Sequence, residues 1–257
     1  MLVSRASLDL DIDPEEFDVL EPRIYGNAST QLPLLQITDH LVNGAGFCRN
    51  LWESTNSDSP PITRMISSML GDCQSSADVL ATVGGDAEKL PYPLGEVLAD
   101  GHNDCDTACY RCLLRYGNQP LHGILDWQLG AAFLRALVDP QFRCGLDGDF
   151  DFWGIERWPN LASQLAEQMA ERFPGQVGEF AGVPAFRVSL GRAVSPWVLV
   201  THPLWDWDDD GELKGGTILA KAREEAGAYG DPLSWDTFNL ARRQVRVREW
   251  IRTAPGV

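Results

Sequence analysis

The chain has 257 residues, 44% of them hydrophobic and 23% charged, which admits one large or two small globular domains and excludes the disordered, collagenous and disulfide-stapled classes. Its formal net charge of −16 repels phosphate backbones on average, so any contact with nucleic acid has to be local or shared with a basic partner. Apolar runs such as WVLV at 197–200 are too short for a membrane helix, and MLVSRASLDLDID turns acidic without the apolar core of a signal peptide; the expectation is a cytoplasmic protein with no membrane partner.

Residues 1–38 mix short strand-like pieces with turn residues, and QLPLLQIT at 31–38 is the best strand among them. Asn43, Gly44 and Gly46 then predict a turn, from which FCRNLWE opens a helix with Phe47, Leu51 and Trp52 on one face. ITRMISSML at 62–70 carries apolar residues at helical spacing, between loops at 54–61 and 84–95. A helical pattern resumes at 109 and stops at Gly117–Asn118. A second helix over 121–138 presents Leu121, Leu125, Leu129, Ala132, Phe133, Ala136 and Leu137 as one stripe before Asp139–Pro140.

Beyond a boundary in 143–160 come a helix at 160–173, strands VPAFRVSL and WVLVTHPLW, and a polar loop, DWDDDGELKGG. A helix near 217–229 and a final helix or strand-plus-helix at 236–252 complete the pattern. The expected fold class is α+β. A metal-stapled mixed domain spans 1–142 and a small α/β domain spans 150–257.

The densest chemistry lies in HNDCDTACYRCLLRYGNQPLHGILDW, residues 102–127. Cytosolic thiols are normally reduced, so three cysteines in eight residues point to a metal rather than to disulfides. Zinc in structural sites takes four N or S ligands in a tetrahedron. Cys109 and Cys112 can present two thiolates from one turn, Cys105 adds a third, and His102 is the nearest fourth, with Cys73, His122, Cys144 and Cys48 as competitors. No H-x-E or H-E-x-x-H accompanies the cysteines, and four protein ligands leave no place for a reactive water, so the site reads as structural. Asn118, Gln119, His122 and Asp126 read as hydrogen-bonding groups that brace the metal loop. On a helix His122 and Asp126 would be neighbours, the base half of a triad, which is the sharper alternative.

The string C-D-x-x-C-Y-x-C-L-x-x-Y-x-N-Q-x-x-H-x-x-L-D-W, Cys105 to Trp127, resembles the signature of the MrfA-like zinc-binding domain of superfamily-two helicases. Its Asp126–Trp127 ending looks most like the DrmB-type proteins of DISARM anti-phage systems. A second block agrees in order: Asp39, the turn at Asn43, Gly44 and Gly46, and Phe47, preceded by LDIDPEEFDV at 10–19. The resemblance covers about 1–140. It implies a zinc role for Cys105, Cys109 and Cys112, and work beside a superfamily-two helicase on DNA, in repair or phage defence. The helicase versions usually show four cysteines, and the residue completing the set here is open.

Neither G-x4-G-K-[ST] nor a DEAH-type box occurs, so the chain lacks a nucleotide-driven motor. The expectation is a non-catalytic zinc-binding accessory module, or the C-terminal piece, of a helicase-like protein, with DNA reached through the complex. Two alternatives come from other classes. One is a metal-dependent nuclease built on Asp206 to Asp210 and Glu212-Leu213-Lys214, although here the Asp cluster lies too close and glycines flank the string. The other is a scaffold that binds protein partners. Arg242, Arg243, Arg246, Arg248 and Arg252 form the one dense basic stretch, which suits phosphates and an acidic partner equally.

Overall fold

The computed structural model describes residues 2–20, 23–27, 30–34, 36–41, 44–53, 60–70, 105, 107–110, 112–152, 154–190, 193–205 and 217–253. The fold is α+β and divides into two compact units, Met1–Phe142 and Arg143–Val257. No helix among the described residues is long and apolar enough to cross a membrane.

The first unit opens with a helix, α1 (Leu2–Leu10), where strand-like sequence is expected. Small residues explain the difference: Ala6 and Ser7 are buried, so a close helical approach replaces the bulky apolar repeat that marks a helix in sequence. Strand β1 (Phe17–Val19) pairs antiparallel with β4 (Ile37–Asp39), and β2 (Arg23–Asn27) with β3 (Thr30–Leu34). The run at 31–38 is therefore not one strand; its two ends serve two different ladders. Helices α2 (Phe47–Trp52) and α3 (Pro61–Leu70) follow. Helix α3 buries Met65, Ile66, Met69 and Leu70, the face its spacing predicts, and packs on α4 (Trp127–Val138).

Helix α4 starts later than its apolar pattern suggests. Residues Tyr116–Leu121 form a 3-10 turn with Pro120 inside it, and Asp126 then caps a new helix by accepting the Leu129 amide at 3.0 Å. The buried face is accordingly Trp127, Ala131, Ala132 and Leu134, while Leu121 and Leu137 are exposed.

In the second unit, helix α5 (Trp158–Arg172) leads into a hairpin of β5 (Gly175–Phe180) and β6 (Val183–Leu190). Its two-residue turn, Ala181–Gly182, has positive φ at both positions, which matches the twist of the paired strands. The short β7 (Ala193–Val194) pairs with β6, and β8 (Val198–Thr201) joins β6 antiparallel. Helix α6 (Ile218–Gly227) then carries the chain to β9 (Leu233–Asp236), parallel to β8, and the final helix is α7 (Thr237–Thr253). The strand order is β5-β6-β8-β9. Val198, Leu199 and Val200 are fully buried, as an apolar run in a central strand should be.

Candidate metal centre

The chain reaches the cysteines through a sharp reversal. The amides of Cys112, Leu113 and Leu114 all donate to the Cys109 carbonyl, at 3.1, 3.1 and 3.0 Å. That knuckle is too tight to continue as the helix its sequence suggests, but it turns the Cys112 sulfur back over its own start. The Cys109 amide donates to Cys112 Sγ at 3.2 Å, and the Sγ atoms of Cys109 and Cys112 lie 3.9 Å apart. Cys105 Sγ is also 3.9 Å from Cys112 Sγ, and the three sulfurs all lie within 4.8 Å of one another. A disulfide would need about 2.05 Å. A tetrahedral metal with thiolate arms of ~2.3 Å sets its sulfurs ~3.8 Å apart, so the observed spacing suits a shared cation.

Cys112 is buried, and Cys105 and Cys109 are half-buried. Without a cation the cluster resists ionisation. Burial first, and then the neighbouring Cys112 and Cys109, push the Cys105 thiol up to about 12. Burial also raises Cys112, against the opposing pull of the Cys109 and Leu113 amides. A divalent ion would reverse that balance and release protons as it bound. The chemistry of the donor set therefore fits a metal held by Cys105, Cys109 and Cys112. His102 and Cys73 lie outside the described residues.

The segment after the knuckle braces it. Asn118 accepts from the Arg115 amide at 2.8 Å and donates to the Leu113 carbonyl at 2.9 Å, closing the loop just past Cys112. His122 Nε2 lies 2.9 Å from both Asn118 Oδ1 and the Arg115 carbonyl, and its ring meets Tyr110 edge-on. Both partners are acceptors, so Nε2 carries the proton and His122 serves as a hydrogen-bond donor there. The i, i+4 reading of His122 with Asp126 does not hold in this geometry. His122 ends the 3-10 turn and Asp126 caps α4, so the two do not share a helix; His122 Nε2 bonds to Asn118 and the Arg115 carbonyl, and Asp126 accepts the Leu129 amide. Trp127 ties the first ligand loop to α4. Its indole N–H donates to the Cys105 carbonyl at 2.9 Å and its amide to the Thr107 carbonyl at 2.8 Å.

The other competitors for a fourth ligand are held elsewhere. Cys48 donates to the Ile37 carbonyl at 3.4 Å, with its thiol pushed up to about 12 by burial and by Asp39. Cys144 lies in the second unit, 3.2 Å from His202 Nδ1. The acidic stretch 206–216, with Glu212 and Lys214, lies outside the described residues.

The glycine-rich block is a backbone device centred on Asp39. Its carboxylate accepts from the Gly46 amide at 2.7 Å and the Cys48 amide at 2.8 Å. The Cys48 amide chiefly, helped by Gly46 and Phe47, holds the Asp39 carboxyl below its ordinary value against a smaller opposing effect of burial. Gly44 and Gly46 have φ of +59° and +83°, and a Cβ on Gly44 would stand 2.9 Å from Asp39 Oδ2. No family model, no curated protein and no solved structure matches this chain.

Proposed function

We propose that the chain is a non-catalytic accessory module of a helicase-like protein acting on DNA in repair or phage defence, stapled by one zinc ion at Cys105, Cys109 and Cys112. The observation that carries the metal is the convergence of three sulfurs at tetrahedral spacing on one hydrogen-bonded loop. Thiolate-rich tetrahedral donors favour zinc over harder divalent ions. His102, three residues before Cys105, is the proposed fourth ligand, which would close the site to substrate water. The helicase setting rests on the resemblance of 105–127 and 39–47 to MrfA-like and DrmB-type sequences. The missing phosphate-binding loop supports an accessory role in place of a motor.

The test pairs the full chain with a superfamily-two helicase from the same cell. The wild type should form a complex and alter DNA-dependent ATP hydrolysis, whereas Cys109→Ser should do neither. Alone, the chain should hydrolyse no ATP and cut no DNA with Mg2+ or Mn2+. Cleavage that disappears in Glu212→Ala would replace this proposal with the nuclease alternative.

A further inference from the structure

Helix α7 departs from helical geometry at Arg243, where φ is −137° and ψ is 35°. The kink opens a groove of about 530 Å³ against the C-terminal turns of α5. Gln168 and Arg172 line it from α5, and Arg242, Arg243, Gln244 and Arg246 line it from α7. The remaining described lining is Ala241 and Val245, so no carboxylate is among the described lining residues. In a chain of net charge −16 this is an unusual place to gather four guanidinium groups. Like charges at one spot repel, and the fold brings Arg172 in from a distant part of the sequence to join the other three.

Two of the arginines are already placed. Arg172 Nη1 donates to Gln244 Oε1 at 2.8 Å, and Gln244 Nε2 donates in turn to Gln168 Oε1 at 3.4 Å, which ties the two helices together across the groove. The Arg242 guanidinium lies 3.9 Å from the centre of the Phe238 ring, and its Nη1 donates to the Phe238 carbonyl at 3.4 Å. Arg243 and Arg246 are exposed. Arg248 takes no part in the lining, since its guanidinium sits 5.0 Å over the Phe173 ring. Of the basic stretch in the sequence, Arg242, Arg243 and Arg246 therefore line the groove and Arg248 does not.

We infer that this groove binds the phosphodiester backbone of a nucleic-acid strand, without reading its bases. Guanidinium forks and side-chain amides offer N–H donors in several directions, and the tetrahedrally arranged oxygens of a phosphate can accept from more of them at once than the two coplanar oxygens of a carboxylate. Arg242 and Arg246 lie on either side of the Arg243 kink and both line the groove, so the cations follow one another along it as the charges of a polyanion do. Elsewhere the acidic surface opposes such a ligand, which confines the contact to this patch. The inference deepens the accessory-module reading and rests on it for the DNA setting, but the groove is built entirely from the second unit and does not depend on the metal.

The experiment is an anisotropy titration of the full chain with a labelled oligothymidine of roughly 20 nucleotides, chosen to exceed a typical single-strand site. It is repeated from about 50 mM to about 200 mM salt, where three or four neutralised phosphates give a single-strand slope of about −2 to −3. Arg243→Glu/Arg246→Glu should weaken binding at least ~10-fold and flatten the slope, while Arg243→Lys/Arg246→Lys keeps most of it. Arg49→Glu/Arg64→Glu, in the first unit, should change little. Equal binding by the charge-reversed and wild-type chains would overturn the inference, as would no binding by wild type at the lowest salt. Binding of pyrophosphate or of a polyglutamate peptide without the oligonucleotide would also overturn it, the latter in favour of an acidic protein partner. Thermal melts confirm that the variants fold. Metal content measured on the same samples separates the two readings: loaded protein that fails to bind removes the groove alone, and binding by metal-free protein removes the staple alone.

Discussion

In the 105–112 loop three sulfurs converge within 4.8 Å of one another on turns of the first unit, two of them half-buried. In the second unit Cys144 Sγ meets His202 Nδ1 at 3.2 Å, both residues are buried, and Trp158 lies edge-on to the imidazole. The Leu204 amide donates to the same Nδ1 at 3.1 Å, so this nitrogen is an acceptor and the thiol is its second donor. Trp205 closes the box by donating its indole N–H to the Cys144 carbonyl at 2.7 Å. Burial pushes the Cys144 thiol up to about 12 and the His202 imidazole down to about 3, so both are neutral at physiological pH. Cysteine and histidine are good ligands and good catalysts, yet this pair is a polar brace in an aromatic core. What distinguishes the loop is the number of donors that converge on one point and their partial access to solvent. Residue type alone decides neither case.

Breaking the cluster should have the largest effect. Structural zinc contributes on the order of 10 kcal/mol in small domains, so Cys109→Ser should leave the first unit unable to hold its 105–127 segment. Near-ultraviolet circular dichroism should then lose the signal of buried Trp127, while the second unit keeps its own transition. Coincident loss of both transitions would mean that the units do not fold separately.

The Cys144–His202 brace sharpens the contrast through pH. The imidazole is held near 3 in the folded state and titrates at about 6.5 when unfolded, so the unfolded chain binds the extra proton between these values. Stability of the second unit should be complete above about pH 6.5 and fall as pH drops from there toward 3. His202→Leu should flatten that dependence and cost about 2–4 kcal/mol, since it leaves the Leu204 amide and the Cys144 thiol without their acceptor. A steep acid dependence that survives in His202→Leu would assign it to other groups.

Thiol reactivity separates the two environments directly. A chelator should make Cys105, Cys109 and Cys112 reactive toward iodoacetamide as the metal-free 105–127 segment opens, while Cys144 should react only when the second unit unfolds. Labelling of Cys144 in the native protein would contradict its burial. The smallest effects belong to the supports. Trp127→Phe removes the N–H that holds the Cys105 carbonyl and should weaken metal binding by about tenfold. Asp39→Ala removes the acceptor of the Gly46 and Cys48 amides and should cost about 1 kcal/mol in a denaturant titration.

Sequence reading finds the features that are local and periodic. Helix α3 was legible because Met65, Ile66, Met69 and Leu70 fall on one face, and the cysteine cluster because its close spacing brings three sulfurs within one turn's reach. Helix α4 is legible but mis-phased: Leu121 and Leu125 continue an apolar repeat that the chain interrupts with a 3-10 turn. Strand β5 carries glycines where β-formers are expected, because neighbours leave no room for side chains. A Cβ on Gly175 would run into the Arg187 carbonyl, and one on Gly178 would stand 2.8 Å from the Trp197 ring. Long-range placement was not legible. Nothing in the separate neighbourhoods of Cys144 and His202 announces their pairing, or the meeting of Arg172 with Arg242 and Arg246 in one groove.

The central claim is that Cys105, Cys109 and Cys112 share one metal ion, and elemental analysis of the purified full chain tests it most directly. Wild type should carry about one zinc ion per chain and Cys109→Ser essentially none, with circular dichroism recorded on the same samples to establish folding. Folded wild-type protein that contains no metal and takes up none when zinc is added would contradict it.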